Sequence, residues 1–68
     1  MVLAVDRIVK HQYNTAKQQW ELLISWKGLQ TTQDSWEPLT RIAMDIPVMV
    51  AEYIDTNDVH QIRRALSA

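Results

Sequence analysis

The apolar positions along this chain change their spacing twice, and each change marks an expected boundary between elements. From Val2 to Lys10, β-branched residues dominate, and Val2 and Ala4 followed by Val5, Ile8 and Val9 interrupt strict alternation once. That pattern predicts a strand, Val2 to Lys10, carrying a bulge. His11 to Gln19 is polar and contains Asn14 and Thr15, which favour turns, so an exposed loop is expected there. From Trp20 to Trp26 the alternation is regular: Trp20, Leu22, Ile24 and Trp26 share one face, and Glu21, Leu23 and Ser25 the other. Leu23 implies some burial on both faces of this strand. Lys27-Gly28 supplies a turn, with the chain's single glycine providing the positive φ that it needs. A polar stretch, Gln30 to Asp34, then leads to a short third strand, Ser35 to Pro38, closed by proline.

In the C-terminal part the period becomes helical. Ile46, Met49, Val50, Tyr53 and Ile54 fall at i, i+3, i+4, i+7 and i+8, the stripe of a helix packed on a sheet. Asp45 is placed to accept hydrogen bonds from the first-turn amides, and Pro47 sits where its missing N–H costs little. Thr56-Asn57-Asp58 interrupts the stripe with capping residues, and Val59, Ile62 and Leu66 resume it, with Arg63 and Arg64 in the last turns. The tail is therefore a second helix or a frayed continuation of the first. The expected fold is α+β: a three-stranded, strongly twisted antiparallel sheet with a helix packed on it, in a module over residues 1–56, and a short helical extension over 57–68.

Composition limits what such a domain does. Sixty-eight residues make one domain, and a chain this short buries only about 60% of its unfolded surface. There is no cysteine, hence no disulfide and no thiolate zinc site, and stability must come from packing the three tryptophans and the aliphatic residues. A formal net charge of −1 lacks the basic field that nonspecific phosphate binding requires, so nucleic acid is not the favoured partner. No apolar stretch approaches the roughly 18 residues of a membrane span, and no signal-peptide layout opens the chain. The sequence reads as a piece of a longer protein.

Candidate chemistry is sparse. No nucleophile stands with a base, and His11 and His60 lack the spacing of metal ligands, so both read as solvated surface histidines. Glu21, Asp34 and Glu37 are scattered acids suited to solubility and local pairing. Lys27, Arg41, Arg63 and Arg64 alternate with Asp45, Asp55 and Asp58 rather than forming a basic patch. No enzyme activity, metal or cofactor is expected. Trp20 and Trp36 are expected to pack the core and the hairpin.

Three features together carry a resemblance: W-K-G at Trp26-Lys27-Gly28, W-E-P at Trp36-Glu37-Pro38, and the helix opening Asp45-Ile-Pro-Val-Met-Val-Ala-Glu-Tyr-Ile. The chain resembles a chromodomain over Leu3 to about Ile54. That resemblance implies an SH3-like sheet and two modes of ligand capture. In the first, three aromatic faces surround a methylated lysine, and the matching positions here are Leu3, Trp26 and Leu29, of which one is aromatic. The acid that often assists such a cage is replaced by Gln33. Trp26 reads either as a groove wall or, with Leu3 and Leu29, as part of a small apolar cluster. In the second mode an extended peptide inserts as a strand between two edges, here Val2, Leu3, Ala4 and Val5 on one side and Glu37 to Arg41, including Thr40, on the other. Arg41 would shift preference toward acidic peptides.

W-K-G-L and D-I-P further resemble chromodomains at the C-terminal end of integrases in chromovirus-type long-terminal-repeat retrotransposons. The implied role is a noncatalytic, nuclear interaction module with a degenerate cage, tethering a larger protein to chromatin through a histone tail or chromatin protein. Alternatives are a working methylated-histone reader, an SH3-like nucleic-acid binder, and a self-association module like the related shadow domains, with Met49, Tyr53, Ile62 and Leu66 as its face. A monomer is expected, because the tail stripe is small and flanked by arginines.

Overall fold

In the computed structural model, residues 4–28 and 33–67 are described; Val2, Leu3 and Leu29 lie outside them. Three strands, β1 (Val5–Asn14), β2 (Gln19–Trp26) and β3 (Ser35–Pro38), precede three helices, α1 (Leu39–Asp45), α2 (Pro47–Asn57) and α3 (His60–Ser67). The strands form one antiparallel sheet in the order β1-β2-β3. The α+β architecture is as the sequence predicts.

The first strand is longer than expected and replaces the predicted loop at His11 to Gln19. It continues through Asn14, pairing His11 with Leu22 and Asn14 with Gln19, and the chain reverses only at Thr15 to Gln18. Polarity misled here because the alternate residues serve different faces. His11 and Tyr13 share a face with Leu22 and Trp20, whereas Gln12 and Asn14 lie with Glu21 on the opposite one. The turn is closed by the Asn14 side chain, whose oxygen accepts the Lys17 N–H at 3.1 Å, and by Gln18 at φ 53°. Register shifts between Val5 and Arg7 and between Ile8 and Lys10 supply the bulge, twice. Gly28 takes the expected positive φ of 83°.

Leu22 and Ile24 on β2 are fully buried and meet Leu39 and Ile42 of α1, Val50 and Ile54 of α2, and Val59 and Ile62 in a single core. Both α1 and its junction depart from the sequence reading. Leu39–Asp45 is helical, so Asp45 ends α1 rather than capping α2. Ile46 occupies the cap position of α2 at φ −137° and ψ 64°, with no side-chain cap. The cause is Pro47 at the first turn of α2: a proline disfavours helical backbone in the residue before it, which breaks the helical path at Ile46 without separating the two helices. The Ile46 N–H still donates to the Ile42 carbonyl at 2.8 Å. At the other end of α2, Asp58 adopts the left-handed region at φ 54° and ψ 47°. That turn sends Val59 back toward the sheet, its N–H bonded to the Ile54 carbonyl at 3.2 Å. The tail is thus a second, packed helix: Ile62 is wholly buried, and exposed Arg63 pairs with Asp55 of α2.

Candidate peptide groove

Trp26 ends β2 opposite Val5, half-buried and packed against the edge of the core. Beyond it, the Lys27 N–H donates to the Ala4 carbonyl at 2.9 Å, extending the pairing to the first described residue. The register Ile24↔Ser35 and Leu22↔Glu37 puts Ser35 and Glu37 on the same face as Trp26. A hydrogen-bonded chain results. The Trp26 indole N–H donates to Ser35 Oγ at 2.9 Å, and the Ser35 hydroxyl donates to Glu37 Oε2 at 2.8 Å. Ser35 was not singled out in the sequence; only its two-residue spacing from Glu37 on a strand hinted that they share a face.

The other expected groove residues divide. Val5 is half-buried beside Trp26, Ala4 and Gln33 are exposed, and Val2, Leu3 and Leu29 fall outside the described residues. Glu37 and Pro38 are extended, but Thr40 and Arg41 lie exposed in α1. A helical backbone directs its N–H and C=O groups along its own axis. The expected edge from Glu37 to Arg41 therefore shortens to Glu37 and Pro38. Asp34, just before β3, is half-buried with Oδ1 unpartnered among the described residues.

Two residues assigned to the surface are instead built into the molecule. His11 is half-buried, with Nδ1 2.7 Å from the Tyr53 hydroxyl and its ring against Trp20 and Tyr53 at centroid distances of 6.2 and 5.8 Å. Glu21 is only 4% exposed, although it faces away from the helices. Its carboxylate accepts Gln12 Nε2 at 2.9 Å, Gln19 Nε2 at 3.0 Å and Asn14 Nδ2 at 3.3 Å. The amides of Gln12 and then Gln19 hold the Glu21 carboxyl below its ordinary pKa; desolvation opposes them, and Asn14 and Lys17 add to the lowering. Burial raises the Tyr53 hydroxyl above its ordinary value. His60 is exposed, as expected, 3.0 Å from Asp58.

The tryptophans take different places. Trp20 packs against the core and meets Tyr13 edge-to-face at 5.3 Å. Trp36 is half-buried on the outer face instead, opposite Leu23, with Lys10 Nζ 5.9 Å from its ring centre. Met49, Tyr53, Ile62 and Leu66 do not make a shared face, since Ile62 has no exposed surface and Tyr53 is engaged by His11. A hollow of about 350 Å³ between α2 and α3 is walled by Val50, Ile54 and Leu66, and its charged residues, Asp55 and Arg63, pair with each other. That leaves it without the convergent free polar groups of a substrate site. Among the described residues no group of three or more His, Cys, Asp or Glu is placed to hold a metal ion, and no helix is long and apolar enough to cross a membrane.

The sequence matches the Chromo (chromatin organisation modifier) domain family over residues 3–56, which takes in the sheet, α1 and most of α2. The chain belongs to the chromodomain family. It is similar to mouse and human Chromodomain Y-like protein 2, at 53% identity over 34 residues in each. That segment is 50% of this chain but 7% of the mouse protein and 6% of the human one. No solved structure matches. Chromodomains are noncatalytic modules of chromatin-associated, typically nuclear proteins, and they bind peptides such as histone tails.

Proposed function

We propose that this chromodomain holds an extended peptide as an added strand beside Val2 to Val5, with weak or no methyl-lysine recognition. On this reading it tethers a larger protein of the retroelement-integrase type to chromatin in the nucleus. The observation that carries the first part is the state of Trp26. It is the one aromatic among the three positions that the family resemblance assigns to the cage, and its N–H is already committed to Ser35. Leu3 and Leu29 have no π face, so a methylammonium between them would lose hydration with little electrostatic return. Strand addition does not depend on those walls. It needs an open edge, and β1 is an edge strand whose pairing to β2 reaches Ala4. Glu37 and Pro38 provide an extended second flank. The retroelement assignment is supported by W-K-G-L and by D-I-P ahead of α2.

Calorimetry with matched histone-tail peptides tests the reading. The expected result is binding in which the trimethylated peptide has no advantage over the unmodified one. A preference for the methylated form above about tenfold, near 1.4 kcal/mol, would establish a working cage and overturn it. Chromatin co-sedimentation of an integrase carrying or lacking this domain tests the tether, with loss of the bound fraction expected on deletion.

A further inference from the structure

We propose that the outer face of the sheet, the side turned away from the helices, binds the phosphate backbone of duplex DNA through Arg7, Lys10 and Lys17. A bulge in β1 builds the site. Arg7 and Lys10 are three residues apart, a spacing that in a regular strand puts two side chains on opposite faces. The register shift between Ile8 and Lys10 changes this: Arg7 stands opposite Ser25, and Lys10 opposite Leu23. Ser25 and Leu23 are two apart on β2, so both cations share the outer face, about 7 Å from each other along the strands. Lys17, in the turn that joins β1 to β2, exerts a Coulombic pull on the Glu21 carboxylate of that face. The three cations thus form a row along one strand pair.

The net charge of −1 conceals this arrangement, because the fold sends most acids elsewhere. Asp45, Glu52, Asp55 and Asp58 belong to the helical half, Glu37 shares the inner face with Trp26, and Asp6 and Asp34 stand outside the paired ladder. The one acid that the register places on the outer face is Glu21. It is 4% exposed, with its carboxylate occupied by three side-chain amides. Arg7, Lys10 and Lys17 are exposed, and none makes a salt bridge among the described residues.

The chemistry of the face selects among polyanions. A single strand is held by stacking its bases on free aromatic rings. Trp36 is the ring that the register places here, and it is half-buried with Lys10 Nζ 5.9 Å from its centre; Tyr13 and Trp20 lie on the opposite face. An extended acidic peptide turns every second side chain away, presenting about one charge per 7 Å. Duplex DNA carries about one per 1.7 Å of axis and needs only cations to hold it. The face is separate from the groove at Trp26, so this inference does not rest on the peptide reading.

Fluorescence anisotropy of the whole chain with a labelled DNA duplex tests it. Affinity should fall about fortyfold between about 50 and 200 mM salt, the dependence of three phosphate contacts. In Lys10→Gln it should be weaker at low salt and fall only about twelvefold, the dependence of two. Arg7→Gln should repeat that result, and it keeps the test sound if removing Lys10 from Trp36 disturbs the fold. Arg41→Gln and Arg64→Gln remove exposed cations from the helices and should change neither quantity, while histone-peptide binding should be unaltered in Lys10→Gln. No duplex binding at low salt, equal losses in the sheet and helix variants, or a single strand or oligoglutamate binding as tightly as the duplex would each overturn the proposal and leave the peptide groove standing.

Discussion

The Nδ1 atom of His11 lies 2.7 Å from the hydroxyl of Tyr53, forty-two positions along the chain, and joins the first strand to α2 across the edge of the core. With Nδ1 as acceptor the phenol donates, so the bond holds α2 against a strand that it otherwise touches sparingly. Tyr53→Phe removes one part-buried hydrogen bond and should cost about 1 kcal/mol. Alkaline conditions add a second readout. Because burial raises the Tyr53 pKa above 10.0, the folded state keeps the proton longer than the unfolded chain does. The stabilisation is complete below pH 10.0 and is lost as pH rises through the higher folded value. Thermal midpoints measured up to that range should fall more steeply in the wild type than in Tyr53→Phe.

Glu21 titrates in the opposite sense. Its folded pKa lies below the ordinary 4.5, so its contribution is present above pH 4.5 and disappears as pH falls through the folded value. Glu21→Gln should flatten the acid limb of stability below pH 4.5. An acid limb unchanged in the variant would mean that the three amides do not hold the carboxylate in solution.

Ile62 is fully buried by α3, beside Val59. Ile62→Ala should cost roughly 2–5 kcal/mol, a large share of the stability of so small a domain, and chemical denaturation would measure it. Sedimentation should show a monomer at all concentrations, since Val59 and Ile62 of the tail's aliphatic stripe are spent on the core. A dimer of constant mass would contradict this account of the helix.

Trp36→Ala should be milder than a core tryptophan deletion. The ring is half-buried on the outer face against Leu23 and Lys10, contacts whose cross-strand and cation–π contributions are each of order 0.5–1 kcal/mol. A loss of about 2 kcal/mol is expected, with the variant still folded at room temperature. Unfolding would place Trp36 in the core after all.

Much of the fold was legible in the chain because its signals are local. Alternation from Trp20 to Trp26 marks a strand with one apolar face, the stripe from Ile46 to Ile54 a packed helix, and Gly28 a turn requiring positive φ. Of the groove, W-K-G and W-E-P located Trp26 and Glu37, and their identity with the family motif needs no coordinates. What the tertiary structure decided depends on which residues meet across the sheet. Polar His11, Gln12 and Asn14 resemble a loop until β2 supplies partners: the core face for His11, and the Glu21 carboxylate for the two amides. Leu39 to Asp45 has too few residues for a helical period to stand out, and it becomes a helix because Leu39 and Ile42 find cover against the sheet and α2. Ser35 is an unremarkable strand residue in sequence. Only the register that sets it between Trp26 and Glu37 turns three scattered side chains into one oriented chain, since hydrogen bonding is a matter of distance and angle, which spacing along a polypeptide does not determine.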